Sequence, residues 1–240
     1  MTDRILALWA TPRTLSTAFE RMVIERGDHL VLDEPFARAY YFGPDRRSDR
    51  YPLSMPESTY ANVRDGVLRT AEDHPRVFVK CMAYQAGPGL TDEDLERFTH
   101  TFLVRDPDAA LASLARAWPD FTDDEAGYRA QHELFRRVLA QGGAPVVVDS
   151  DELRADPEGI TAAWCAAVGL EPRPDALQWE PGLRPEWPLW HDWFADVAES
   201  SGFRPASGEP VPAPDPARAD LHREARAQYE DLAVHRLRPG

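Results

Sequence analysis

Ile5-Leu-Ala-Leu-Trp-Ala-Thr-Pro-Arg-Thr-Leu-Ser-Thr-Ala-Phe-Glu-Arg-Met22 runs as strand, tight loop and helix in immediate succession, and that order decides the fold. Ile5 to Trp9 is an apolar run of strand length, whereas Leu15, Phe19, Met22 and Val23 recur at helical spacing and bury one face. Pro12, Arg13, Thr14, Ser16 and Thr17 lie between the two. A helix N-terminus presents unpaired backbone N–H groups and a positive dipole end, and here hydroxyls and a guanidinium are added to them. The loop reads as a cradle for phosphate or sulfate. Ser and Thr at helix starts are usually plain N-caps, so this reading needs support from elsewhere in the chain. The Walker A pattern, Gly, four residues, then Gly-Lys-Ser/Thr, is absent, which disfavours an ordinary ATP or GTP site.

The same alternation continues downstream. His29 to Asp33 is a short strand that Pro35 ends, leaving Asp33 and Glu34 at its C-terminal tip. Ligands of open α/β sheets bind outside the carboxyl ends of the strands, so both carboxylates are expected beside the Arg13 loop. Residues 37–56 carry Tyr40, Tyr41, Phe42, Arg46, Arg47 and Arg50 without a clean period, and read as a long excursion over that face, a substrate lid or a surface loop. Residues 57–73 read as a helix. Arg76 to Met82 is the third strand and delivers Lys80; His100 to Asp106 is the fourth and carries Arg105; Pro145 to Asp149 is the fifth. Helices are expected after Gly87-Pro88-Gly89 with Thr91 as cap, from Pro107, over Glu125 to Ala140, and from Pro157 to Val168 with Gly169 as its stop. Strands alternating with helices imply a parallel α/β sheet.

The chain of 240 residues is 43% hydrophobic, enough for a substantial core in one domain. It lacks an apolar run of about 18 residues, and its N-terminus lacks a basic segment followed by an apolar one, so a soluble, cytoplasmic protein is expected. The formal net charge of −14 argues against a nucleic-acid or anionic-membrane surface, and any anionic ligand must be held by local groups. Cys81 and Cys165 lie in apolar surroundings without metal-ligand spacing, so neither a disulfide nor a metal is expected. Lys80 is the only lysine among 27 basic residues, a compact charge where arginine would present a broad fork. The last 70 or so residues differ in kind: Trp179, Trp187, Trp190, His191 and Trp193 crowd together and cap a core or stack a planar ligand, and Pro205 to Pro216 is proline-rich. Leu221 to Leu237 reads as a charged amphipathic helix that packs on the body or on a second subunit, leaving a homodimer open. The division expected is an α/β domain over 1–204, a linker over 205–216 and a C-terminal helix over 217–240.

Three separated motifs resemble those of bacterial sulfotransferases that use 3′-phosphoadenosine 5′-phosphosulfate. Pro12-Arg-Thr-Leu-Ser-Thr17 is similar to the family's 5′-phosphosulfate loop, often written Pro-Arg/Lys-Ser-Gly-Thr-Thr. Phe102-Leu-Val-Arg-Asp-Pro-Asp-Ala-Ala-Leu-Ala-Ser113 is similar to the 3′-phosphate motif, an arginine at a strand end followed eight residues later by a serine. Val77-Phe-Val-Lys80 occupies the place of the internal strand whose lysine faces the donor. The resemblance covers about residues 4–170. It departs at Leu15, where the family usually has glycine, and at Met82, where several members carry a histidine base.

The resemblance implies a three-layer, P-loop-like fold with a central, mostly parallel five-stranded sheet and a mainly helical C-terminal extension. It implies transfer of a sulfuryl group to a hydroxyl of a small-molecule acceptor, with no metal required. Arg13, Thr14, Leu15, Ser16, Thr17, Arg105 and Ser113 would hold the donor. Arg13 and Lys80 would meet charge on the leaving phosphate, and Glu34 would serve as base in place of the missing histidine, with Asp33 and His100 as alternatives. The rival readings are a P-loop-like phosphotransferase and a nucleotide-binding protein without catalysis.

Overall fold

The computed structural model describes residues 5–189, 191–205 and 210–239. Its five strands, β1 Ile5–Ala10, β2 Leu30–Asp33, β3 Val77–Met82, β4 Phe98–Val104 and β5 Val146–Asp149, form one sheet in the order β2-β3-β1-β4-β5. Every pairing is parallel, so the mostly parallel sheet expected is parallel throughout. Helices cover both faces, and each face closes its own core: Phe19, Tyr41 and Trp164 on one side, Phe36, Phe102 and Phe135 on the other. β1 lies at the centre and is buried along its whole length, as a continuous apolar run requires. β4 begins at Phe98, two residues before the expected start, because Thr99 pairs with Leu6 and extends the ladder back to Ile5.

Two expectations about helices are corrected. The excursion over residues 37–56 opens with the helix Ala37–Phe42, and Tyr40, Tyr41 and Phe42 are buried in the core. Most of their aromatic surface is spent on packing, although Tyr41 also borders the cavity at the strand ends. The helix expected over Glu125 to Ala140 is broken at Gly127 (φ 83°) into Asp123–Ala126 and Tyr128–Ala140. A Cβ at Gly127 would sit 3.2 Å from Tyr84 and 3.3 Å from Thr11, so the break lets this segment pass close to the loop after β1. It also brings Gln131 Nε2 to donate to Trp9 O and Leu103 O, at 3.0 and 2.9 Å, clamping the ends of the two central strands.

The C-terminal helix Ala219–Ala233 packs on the body, against Pro107–Ala117 and Tyr128–Ala140. Arg226 grips Asp106 and Asp108, and Leu237 N donates to Val147 O beyond it. Of the tryptophan-rich region, Trp179 and Trp187 are buried; Trp190 and the His191 side chain lie outside the described residues. Cys81 and Cys165 are free and buried. Among the described residues no helix is long and apolar enough to cross a membrane.

Candidate active site

From the centre of the sheet, β1 hands the chain towards β2 on one side and β4 hands it towards β5 on the other, so the loops after β1 and β4 diverge. Such a switch point leaves a crevice at the carboxyl ends of the strands. A cavity of about 640 Å³ opens there, lined from all five strand ends, by Arg13, Glu34, Gln85, Arg105 and Arg154 among others. That volume suits a drug-sized ligand.

The loop after β1 is strained and firmly tied. Arg13 (φ 67°) and Leu15 (φ 64°) are both left-handed, and Leu15 is the N-cap of the helix Ser16–Arg26. Left-handed backbone costs a side-chain-bearing residue about 1–2 kcal/mol, and Leu15 stands where the resembling loops place a glycine. What holds the loop is a set of buried hydrogen bonds. Thr14 Oγ1 donates to Thr11 O at 2.7 Å, Ser150 Oγ lies 2.6 Å from Thr14 O and 2.8 Å from Val104 O, and Arg105 Nη1 donates to Arg13 O at 2.8 Å. The result is a helix start whose first-turn N–H groups have no intrahelical acceptor. Ser16, Thr17 and Leu15 line the cavity, but the Thr14 side chain is turned into the protein and does not. Arg13 Nε donates to Ser113 Oγ at 3.0 Å, so the loop after β1 and the helix after β4 meet in one space.

Lys80 does not reach the cavity. It is fully buried, with its ammonium between Asp33, Glu34 Oε1 (2.8 Å) and Glu20 Oε2 (3.8 Å), and Phe194 covers it at 5.2 Å from ring centroid to nitrogen. One lysine cannot balance three buried carboxylates. Burial, then the neighbouring Asp33 charge, push Glu20 well above the usual carboxylate range, and burial raises Asp33 to about 7 although Lys80 opposes it. Glu34, next in sequence to Asp33 and left-handed at φ 41°, is the member of the cluster that lines the cavity. Its Oε2 accepts from Gln85 Nε2 at 3.1 Å, and Gln85 lies 3.4 Å from Tyr84 OH, which meets Tyr41 OH at 2.9 Å. His100 is not near these groups. It is buried in β4, with Nδ1 accepting from Trp9 Nε1 at 2.9 Å and Nε2 donating to Leu95 O at 3.0 Å, and it does not line the cavity.

Several residues of the site escaped sequence reading. Glu20 carried a signal: a carboxylate four residues after Ser16, beside the apolar Phe19, Met22 and Val23. Trp118 carried none: it walls the cavity edge to face with Trp193 at 5.5 Å, from a segment far from the tryptophan cluster to which Trp193 belongs. Arg50, expected on a long excursion, is locked to Glu125 (2.7 and 2.9 Å) and Asp120 (2.8 Å) with its guanidinium 4.2 Å from the Trp118 ring. Among the described residues no group of His, Cys, Asp and Glu side chains is placed to hold a metal ion.

Comparison with known proteins places these features in context. A family profile described as a sulfotransferase domain matches residues 3–235. Two curated proteins of Arabidopsis thaliana, branched-chain-amino-acid aminotransferase-like proteins 2 and 1, are each 29% identical over 202 residues, which cover 83% of this chain. The match spans 36% of the length of those proteins. Among solved structures, the sulfotransferase domain from the Synechococcus PCC 7002 olefin synthase superposes with a TM-score of 0.60 at 17% identity, covering 96% of this chain and 94% of that one. A sulfotransferase domain from the curacin biosynthetic pathway gives 0.54 at 15% identity, covering 95% and 97%. These two likenesses establish the fold, a P-loop-like sulfotransferase fold.

Proposed function

Because the chain belongs to the sulfotransferase domain family, we propose that it moves a sulfuryl group from 3′-phosphoadenosine 5′-phosphosulfate to a hydroxyl of a small-molecule acceptor. The observation that carries the choice of donor is the meeting of two anion grips in one cavity: the loop after β1 and the Arg105–Ser113 pair, joined through Arg13. A donor with phosphate at both its 3′ and 5′ positions matches two such grips. Arg105 Nε is buried and has no hydrogen-bond partner among the described residues, a donor group left for a ligand.

The donor supplies an activated sulfuryl group on a phosphate leaving group. Arg13, the first-turn N–H groups and the hydroxyls of Ser16 and Thr17 hold the 5′ end and meet negative charge as it grows there. Arg105 and Ser113 hold the 3′-phosphate. Glu34 takes the proton of the acceptor hydroxyl; each of its oxygens has one partner and a lone pair to spare. Lys80, buried behind it, is a positioning residue: it holds Glu34 from the side away from the acceptor. Thr14 contributes loop shape. The acceptor lies against Tyr41, Tyr51, Trp118 and Trp193.

The name of the plant relatives does not carry over as a second reading. Aminotransferases work through a lysine Schiff base, and the only lysine here is sealed among three carboxylates. The test is ligand-induced stabilisation. Adenosine 3′,5′-bisphosphate should raise the melting temperature well above the shift given by AMP or ATP at equal concentration. Equal shifts with ATP and none with the bisphosphate would remove the donor assignment.

A further inference from the structure

Arg154 has no role in the scheme above, yet it is placed as though waiting for charge. It lies on the short helix Ser150–Ala155 after β5 and lines the same cavity as Arg105 and Ser113, close enough to Arg105 to feel its charge. Its Nε is buried and lacks a hydrogen-bond partner among the described residues, as does that of Arg105. The carboxylate at hand, Asp151, stands 3.6 Å from Arg105 Nε, beyond hydrogen-bond reach, with 47% of its side chain exposed. Burial and then the neighbouring Arg105 charge lower the Arg154 pKa, and Asp151 opposes them only in part. Two like charges are thus held together, partly dehydrated, with little to balance them. Residues kept for structure are arranged in the opposite way. Arg21, for instance, spends its guanidinium on Glu25, Glu180 O and Gly182 O. The backbone under Arg154 is meanwhile fixed to the donor loop, through Ser150 Oγ on Thr14 O and Leu153 buried in the core.

Resting on the donor reading, we propose that Arg154 is a specificity-determining residue: together with Arg105 it seats a phosphate monoester dianion, the 3′-phosphate of the donor. A terminal phosphate has two negative charges and three oxygens, enough to accept from both guanidiniums and from Ser113. A 3′-hydroxyl offers neither, so Arg154 makes the site select 3′-phosphorylated nucleotides over their unphosphorylated counterparts.

Isothermal titration of the full chain with adenosine 3′,5′-bisphosphate and with AMP, for the parent, Arg154→Gln and Arg154→Lys, tests this. Arg154→Gln should lose about tenfold or more in affinity for the bisphosphate, the scale of a charge-assisted contact, while AMP affinity changes by less than about twofold. Arg154→Lys should fall between, since it keeps the charge without the fork. The unliganded Arg154→Gln protein should melt at the parent temperature or above, because a like-charge contact is gone. A structural arginine would give the reverse: a lower melting temperature with selectivity intact, which overturns the inference. So does an equal loss for both nucleotides. A parent protein that does not prefer the bisphosphate overturns the donor reading and this inference with it.

Discussion

Asp33→Asn should stabilise this protein, by an amount that grows by roughly 2–3 kcal/mol between pH 5 and pH 8. The Asp33 carboxyl is buried beside Lys80, with a folded-state pKa raised to about 7 against an ordinary value of 3.8. A raised carboxyl pKa means the folded state binds the proton more tightly, so the associated stability is full below about pH 4 and is lost as pH rises through about 7. Between pH 5 and pH 7 that is two units at ~1.36 kcal/mol each, so roughly 2–3 kcal/mol should disappear by pH 8. Glu20, also raised, has the same sign. His29 has the opposite one, because burial lowers its pKa and its contribution grows as pH rises, but it is common to both proteins and cancels in their difference. The amide introduced by Asp33→Asn reproduces the protonated carboxyl: its oxygen still accepts from Lys80, and its NH2 takes the position of Oδ2, which has no partner among the described residues. Urea unfolding of both proteins at pH 5, 6.5 and 8 gives the free energies. A difference between the two proteins that is the same at pH 5 and pH 8, or a substitution that costs more at high pH than at low, would refute a raised Asp33 pKa.

The remaining expectations concern the cavity. Glu34→Gln should lower turnover by about a hundredfold or more while bisphosphate affinity, read by titration, hardly changes; a variant that keeps its turnover would move the base elsewhere. Arg105→Ala should weaken bisphosphate binding more than Ser113→Ala, since a guanidinium contact to phosphate is roughly twice as strong as a neutral one; unchanged affinity in both would undo the 3′-phosphate assignment. Leu15→Gly should stay within about 1 kcal/mol of the parent, because relief of left-handed strain offsets lost packing and added chain entropy, whereas Leu15→Val, β-branched at positive φ, should lose more; thermal melts that rank them the other way would show the strain is absent.

What the sequence disclosed was whatever depends on local order. Strand, loop and helix from Ile5 to Met22 were legible because apolar spacing switches from continuous to helical within a few residues, and the Arg105–Ser113 pair because both lie on one strand-to-helix junction. The parallel order of the sheet followed from the alternation of elements. The fate of side chains was harder to read. That Lys80 faces inward depends on Glu20 arriving from the first helix and Phe194 from the C-terminal segment, neither of which shares a pattern with β3. Thr14 and Ser16 are alike in composition, yet one turns inward to Thr11 O and the other lines the cavity; a left-handed residue on either side of Thr14 separates them, and dihedrals at Arg13 and Leu15 leave no mark in residue type. The break at Gly127 was written as a glycine, but its reason, the approach of Tyr84 and Thr11, is three-dimensional.

The burial of Lys80 has a practical corollary for watching the protein move. Its ammonium is the only lysine amine in the chain, and it lies beneath Phe194, which in turn packs on Trp187 at 4.9 Å. An acylating reagent added in excess can modify that amine only while the aromatic cover is lifted and the proton is shared out to a carboxylate. The labelling rate at one mass-shifted peptide therefore clocks the opening of the C-terminal segment, with no engineered probe, and slows if a nucleotide in the cavity holds that cover down.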